Sequence, residues 1–162
     1  MKKVTYPIFS FILLIVMNGC VGYEPIFGTT NLQFEIVDYS IEGNKILGKK
    51  IYTKLYSLSK KDSNNPTTKL IDLSVQSSEN QEATVKDSTG KIKEYKISLR
   101  TIVKIKDYLT EDLLINETIV SSSAYKIQNT RSKTLALKNK TIDTLLDNNF
   151  EKLLVLFSKI FE

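Results

Sequence analysis

Cys20 is the only cysteine among 162 residues, and the sequence holds no histidine. A thiol is an intrinsically strong nucleophile, so this residue is open to covalent modification. The usual general base and commonest metal ligand is missing with histidine. No glycine-rich loop with phosphate-binding spacing precedes a helix, and no G-x-S-x-G occurs. Asp107, Glu111 and Asp112 stand close together, but carboxylates clustered at one turn read as solvated loop charges more readily than as an acid/base pair. A Ser–Lys dyad stays open, although nothing singles one out. The expected class is therefore non-enzymatic, with no metal and no cofactor.

What surrounds Cys20 gives its chemistry a direction. Lys2 and Lys3 are followed by an apolar run from Ile8 to Met17, in which Ser10 is the one polar residue. A basic start, a short apolar run and a small residue before a cut site describe a secretory signal. The run is shorter than the roughly 20 apolar residues of a membrane-spanning helix. Gly19-Cys20 resembles a bacterial lipobox, in which the cysteine sulfur is acylated and the residue becomes the first of the mature chain. That predicts a palmitate-type lipid anchor on Cys20. Met17 and Asn18 are less usual lipobox residues, and an ordinary cleaved signal with an incidental cysteine is the other reading.

Loss of residues 1–19 would leave enough chain for one domain with a core of its own, and not for two. With its only cysteine acylated, such a domain has no disulfide and depends on packing. The chain carries a net charge of +5, two units of which are Lys2 and Lys3. A mild basic balance in a chain rich in Lys, Ile and Asn argues neither for nor against an anionic partner. No nucleic-acid partner is expected.

Residues 20–31 read as an extended tether, since Pro25 blocks a helix. A strand is expected over Leu32 to Tyr39, where Leu32, Phe34 and Ile36 alternate with Gln33 and Glu35. Asn44 caps a helix from about Lys45 to Ser59, with Leu47, Ile51, Leu55 and Leu58 at helical spacing. Gly48 should weaken it by about 1 kcal/mol relative to alanine. After the loop Asp62 to Pro66, Ile71, Leu73 and Val75 mark a second strand, which gives way to a polar stretch toward Val85. Asp87-Ser88-Thr89-Gly90 forms a hairpin turn with a positive φ at Gly90. Tyr95, Ile97, Leu99, Val103 and Ile105 then point one way, while Lys96, Ser98, Arg100, Lys104 and Lys106 point the other. A fourth strand begins at Leu113, Ile115 and Ile119 and fades into Ser121-Ser122-Ser123. From Thr130 a long helix carries Leu135, Ile142, Leu145, Leu146, Phe150, Leu153, Phe157 and Ile160 three or four residues apart.

One-sided strands and two amphipathic helices bury their apolar faces as two layers. The expected fold is α+β, a two-layer sandwich in which a four-stranded mixed sheet carries two helices packed on one face, in the order β-α-β-β-β-α. Hairpins make the last three strands antiparallel, and the helical crossover allows the first two to run parallel. Gln33, Glu35, Asp72, Gln76, Lys96, Arg100 and Lys104 then populate the opposite face, which is either simply solvated or a binding surface. The division is a signal at residues 1–19, a tether at 20–31 and a single domain at 32–162.

The segment Cys20-Val21-Gly22-Tyr23-Glu24-Pro25-Ile26-Phe27 resembles the mature start of the LPS-assembly lipoproteins, the LptE family. The resemblance extends over most of the chain through the order of its elements. It includes Val85-Lys86-Asp87-Ser88-Thr89-Gly90-Lys91-Ile92-Lys93-Glu94-Tyr95, similar to that family's hairpin, and the helix start Leu135-Ala136-Leu137-Lys138. The individual motifs are weak, and their order carries the likeness. The extended C-terminal tail of some members has no counterpart. The resemblance implies an outer-membrane, periplasm-facing lipoprotein that plugs and helps assemble the LPS-translocating barrel LptD and assists lipopolysaccharide delivery to the outer leaflet. It marks Lys86 and Lys138 as basic positions for lipopolysaccharide, each of which also reads as an ordinary exposed charge. Lys49 and Lys54 on the first helix are basic positions that it does not mark. Val21, where an inner-membrane retention signal would place Asp, agrees with sorting to the outer membrane. A non-enzymatic envelope scaffold that binds other periplasmic or outer-membrane proteins is the alternative.

Overall fold

A computed structural model describes residues 32–59 and 68–161. Strand β1 (Phe34–Gly43), helix α1 (Lys45–Leu58), strands β2 (Lys69–Lys86), β3 (Ile92–Asp107) and β4 (Leu113–Lys126), and helix α2 (Arg131–Phe161) follow one another. The sheet order is β1-β2-β3-β4. β1 and β2 pair in parallel, and the other two pairs are antiparallel. α1 packs on β1 and β2, and α2 on β3 and β4, so both helices cover one face. This is the two-layer α+β arrangement expected from the periodicities.

The helix that links the two parallel strands begins where its sequence says it should. The Asn44 side chain accepts hydrogen bonds from the Ile46 and Leu47 amides at 3.2 and 3.3 Å, which satisfies two of the free donors of the first turn. Leu47, Ile51 and Leu55 then fall on one face and are buried. Gly48 has a packing reason. A Cβ there would lie 2.5 Å from the Ile41 Cγ2 atom of β1, so glycine lets the helix backbone settle against the strand. The helical weakness of glycine is offset by that close approach.

β1 departs from simple alternation. Continued at period two from Phe34 and Ile36, it would turn Asp38 toward the helices. A register shift between Ile36 and Asp38 intervenes, after which Tyr39 pairs with Leu73 and Ile41 with Val75. The inserted residue is a bulge that re-aims every later side chain. It brings Tyr39 onto Tyr52 of α1 with ring centroids 4.1 Å apart. The strand consequently runs to Gly43 rather than ending at Tyr39.

β2 and β4 are also longer than their apolar residues suggest. Beyond Val75, β2 continues through Gln76, Glu79 and Glu82 to Lys86, paired with β3 almost throughout. Ser121, Ser122 and Ser123 of β4 pair with Leu99, Ser98 and Ile97. Here cross-strand pairing with β3 maintains the strand where side-chain burial no longer does. At 14 residues, α1 spans only about 21 Å, whereas the 18 residues of β2 extend roughly 60 Å. One short helix cannot cover so long a strand.

The core gathers Phe34, Ile51, Leu55, Ile71, Leu73, Ile97, Leu99, Ile105, Leu145 and Phe157, all buried. Phe34 meets Phe157 edge-on, with centroids 5.2 Å apart. From Ile142 onward the stripe of α2 buries Ile142, Leu145, Leu146, Leu153 and Phe157, with Phe150 and Ile160 partly buried, while Leu135 is half exposed. Asn149, a polar residue within that stripe, is fully buried. Its Nδ2 donates to Thr101 Oγ1 at 3.1 Å, which ties α2 to the centre of β3.

Candidate functional site

Cys20 lies outside the described residues, as do the other residues of the expected signal and tether. The two lysines marked by resemblance lie within them. Lys86 is the last residue of β2, exposed beside the hairpin turn. Lys138 sits in the second turn of α2 and reaches across to β2. Its Nζ lies 3.0 Å from Glu79 Oε1 and donates to Gln81 Oε1 at 2.8 Å. Gln81 precedes Lys86 by five residues, about 17 Å along a strand. The fold thus places both lysines toward one end of β2 without bringing them into contact. The Glu79 and Lys138 side chains are only 20% and 28% exposed, so this pair is more shielded than an open surface bridge. Lys138 therefore has a structural role that its position in the sequence does not reveal.

The turn beside Lys86 is held by Asp87. Its carboxylate accepts from Thr89 Oγ1 at 2.6 Å and from the Thr89 and Lys91 amides at 3.0 Å each, with Lys93 Nζ at 3.2 Å. Gly90 takes the expected positive φ, +82°. The Thr89 hydroxyl first, then the Lys91 amide, Lys93 and the Thr89 amide outweigh desolvation, and lower the Asp87 pKa from 3.8 to about 2. A depressed carboxylate pKa adds stability that is fully present above the unfolded value of 3.8 and is lost as pH falls through about 2. The Thr89 and Lys91 amide resonances should therefore titrate with a midpoint near 2, and Asp87→Asn should abolish the transition. A midpoint at the ordinary carboxylate value would show that these bonds do not hold the turn.

The acidic cluster at the β3–β4 turn has a comparable structural use. Asp107 Oδ1 accepts from the Leu109 and Thr110 amides at 2.9 and 3.0 Å. These bonds, the Thr110 amide foremost, hold its pKa below the usual range. Asp112 accepts from the Thr110 hydroxyl at 2.8 Å. Both carboxylates are engaged in shaping the loop.

On the open face of the sheet, Lys96 pairs with Glu82 at 3.6 Å. Arg100 stands between Ser78 and Val120, and Lys104 between Ser74 and Asn116, with no carboxylate directly across from either. Neither forms an ion pair among the described residues, so β3 presents two cations on a polar surface.

A second surface could not be read from the sequence. A groove of about 680 Å³ runs between α1 and α2, with Ile46, Ile51 and Leu146 among its lining residues and Lys49, Lys50 and Lys54 on the α1 side. Lys50 Nζ meets Asp143 Oδ1 at 2.6 Å, and Lys54 pairs with Asp147. Lys49 and Lys54, unmarked by the resemblance, are thereby brought together at a cavity. The helical spacing of Lys50 with Lys54 and of Asp143 with Asp147 was visible in the sequence, but not that the two rows meet.

No protein-family model and no curated protein matches the sequence. Among solved structures, the chain is similar to an uncharacterized lipoprotein B from Nitrosomonas europaea, with a TM-score of 0.56 and 12% identity, covering 82% of this chain and 88% of that one.

 It is likewise similar to a minor lipoprotein from Acinetobacter baumannii, with a TM-score of 0.54 and 12% identity, covering 79% of this chain and 92% of that one. At such identities the likeness is one of fold. The domain thus has an architecture that also occurs in small bacterial lipoproteins.

Proposed function

We propose that the chain is a lipoprotein of the outer membrane, anchored through Cys20, that plugs and helps assemble the lipopolysaccharide-translocating barrel. The observation that carries this reading is a β-α-β-β-β-α domain, of a fold found in lipoproteins, placed behind an apolar run that ends in Gly19-Cys20. A barrel lumen is polar, so a plug must present a polar surface to it. The open sheet face, with Arg100, Lys104 and the Lys96–Glu82 pair, supports that use. Lipopolysaccharide carries acidic groups beside acyl chains, and lysine and arginine offer such oxyanions charge-assisted hydrogen bonds. The role is one of binding and assembly, without catalysis.

Lys86 supplies the test of lipopolysaccharide contact. Lys86→Glu should weaken lipopolysaccharide binding while leaving the melting temperature nearly unchanged, because the residue is exposed. The difference should shrink in 1 M salt, where the Debye length is about 3 Å. Lys159→Glu, which changes net charge equally at the other end of the domain, should have little effect. Lys138 needs a different variant, since Lys138→Asp would set a carboxylate against Glu79 and also disturb the fold. Lys138→Gln with Glu79→Gln removes both charges together and leaves net charge unchanged. Equal losses from Lys86→Glu and Lys159→Glu would mean that bulk charge alone matters.

A further inference from the structure

We propose that the groove between α1 and α2 binds an amphiphile with one acyl chain and an anionic head. This goes beyond the lipopolysaccharide reading and does not need it. The groove volume of about 680 Å³ falls within the range of small-molecule sites. Ile46 is 72% exposed although it lines the groove, which leaves apolar surface open to a chain. The Lys50–Asp143 and Lys54–Asp147 pairs bridge the two helices, and all four residues line the groove. Lysine stems cover apolar surface while their ammonium groups stay at the rim. Three lysines face two aspartates there, and Lys49 has no ion pair among the described residues. The surplus charge is positive, which selects an anionic head over a neutral or cationic one.

The groove continues toward the start of α1. A second cavity of about 360 Å³ shares Ile46, Lys50 and Asp143 with it and adds Asn44 and Asn139. Asn44 uses its Oδ1 for the helix cap, so its amide NH₂ is available to oxygen acceptors. Glu79 also lines this cavity, but its charge is met by Lys138. Asn44 and Asn139 thus add polar groups at this end, where Lys50 meets the Asp143 charge, while the unpaired Lys49 lines the main groove.

The test uses the full-length protein in phosphatidylcholine nanodiscs and dodecyl phosphate carrying a photoreactive diazirine on its chain. Mass spectrometry of the labelled protein should place adducts on the groove segments of α1 and α2. Ile46→Glu and Lys49→Glu alter exposed side chains and should each cut that labelling by about tenfold, as changes within a binding pocket do. Lys159→Glu should leave it unchanged. A diazirine-bearing dodecanol, which lacks the charge, should label the groove far less. Labelling spread over the sheet, equal labelling by the alcohol, or equal loss in Lys159→Glu would overturn the proposal. So would a photoreactive side chain at Thr53 that captured a second copy of the chain in place of lipid. Barrel association is not read in this experiment, so its failure leaves the plug reading standing.

Discussion

Leu99→Ala is expected to lower the unfolding free energy of the domain by about 2–5 kcal/mol. Leu99 is fully buried in the middle of β3, the strand on which the alternation is most regular. Its register partners are Glu79 of β2 and Ser121 of β4, neither of which can fill the space left by a lost isobutyl group with apolar atoms. Truncation therefore removes buried surface and leaves a cavity, and both effects destabilise. Leu99→Lys goes further, because it places a charge in the core with no partner, and it should prevent folding. Urea denaturation of the first variant and circular dichroism of the second measure these effects. Parent-like unfolding in both would mean that Leu99 does not face the helices.

Cys20→Ser should abolish acylation altogether, since a hydroxyl cannot replace the thiol in the lipobox reaction. Metabolic labelling with palmitate should then give no signal at the mass of the protein. The variant should accumulate as precursor or as soluble protein in place of membrane-bound lipoprotein. Normal labelling of Cys20→Ser would place the acyl group elsewhere and refute the lipobox reading.

The sequence shows the fold most clearly where burial sets the pattern. β3 alternates because one face of a central strand is covered, and α1 begins at Asn44 because a side-chain cap marks its start. Its limits are equally physical. The distal half of β2 and the serine run of β4 are held by pairing with β3, and pairing leaves little trace in hydrophobicity. The β1 bulge is visible only against its partner strand, because Val37 becomes an extra residue when β2 fixes the register. Asn149 interrupts an apolar stripe and would be placed at a helix surface, yet Thr101 gives it a buried hydrogen bond. Lys138 offers the same lesson at the candidate site. Residue type suggests a free cation, whereas Glu79 and Gln81 engage it across the fold. The groove depends on how α1 and α2 are spaced over the sheet, which no stretch of sequence specifies by itself.

The central proposal is that this chain works as the lipid-anchored plug of an outer-membrane barrel. Affinity purification of the native, lipidated protein from outer membranes solubilised in mild detergent tests it most directly. The plug reading predicts a stable one-to-one complex with the lipopolysaccharide-assembly barrel, retained through gel filtration. Recovery of the lipoprotein alone, or with periplasmic proteins and no barrel, would contradict it.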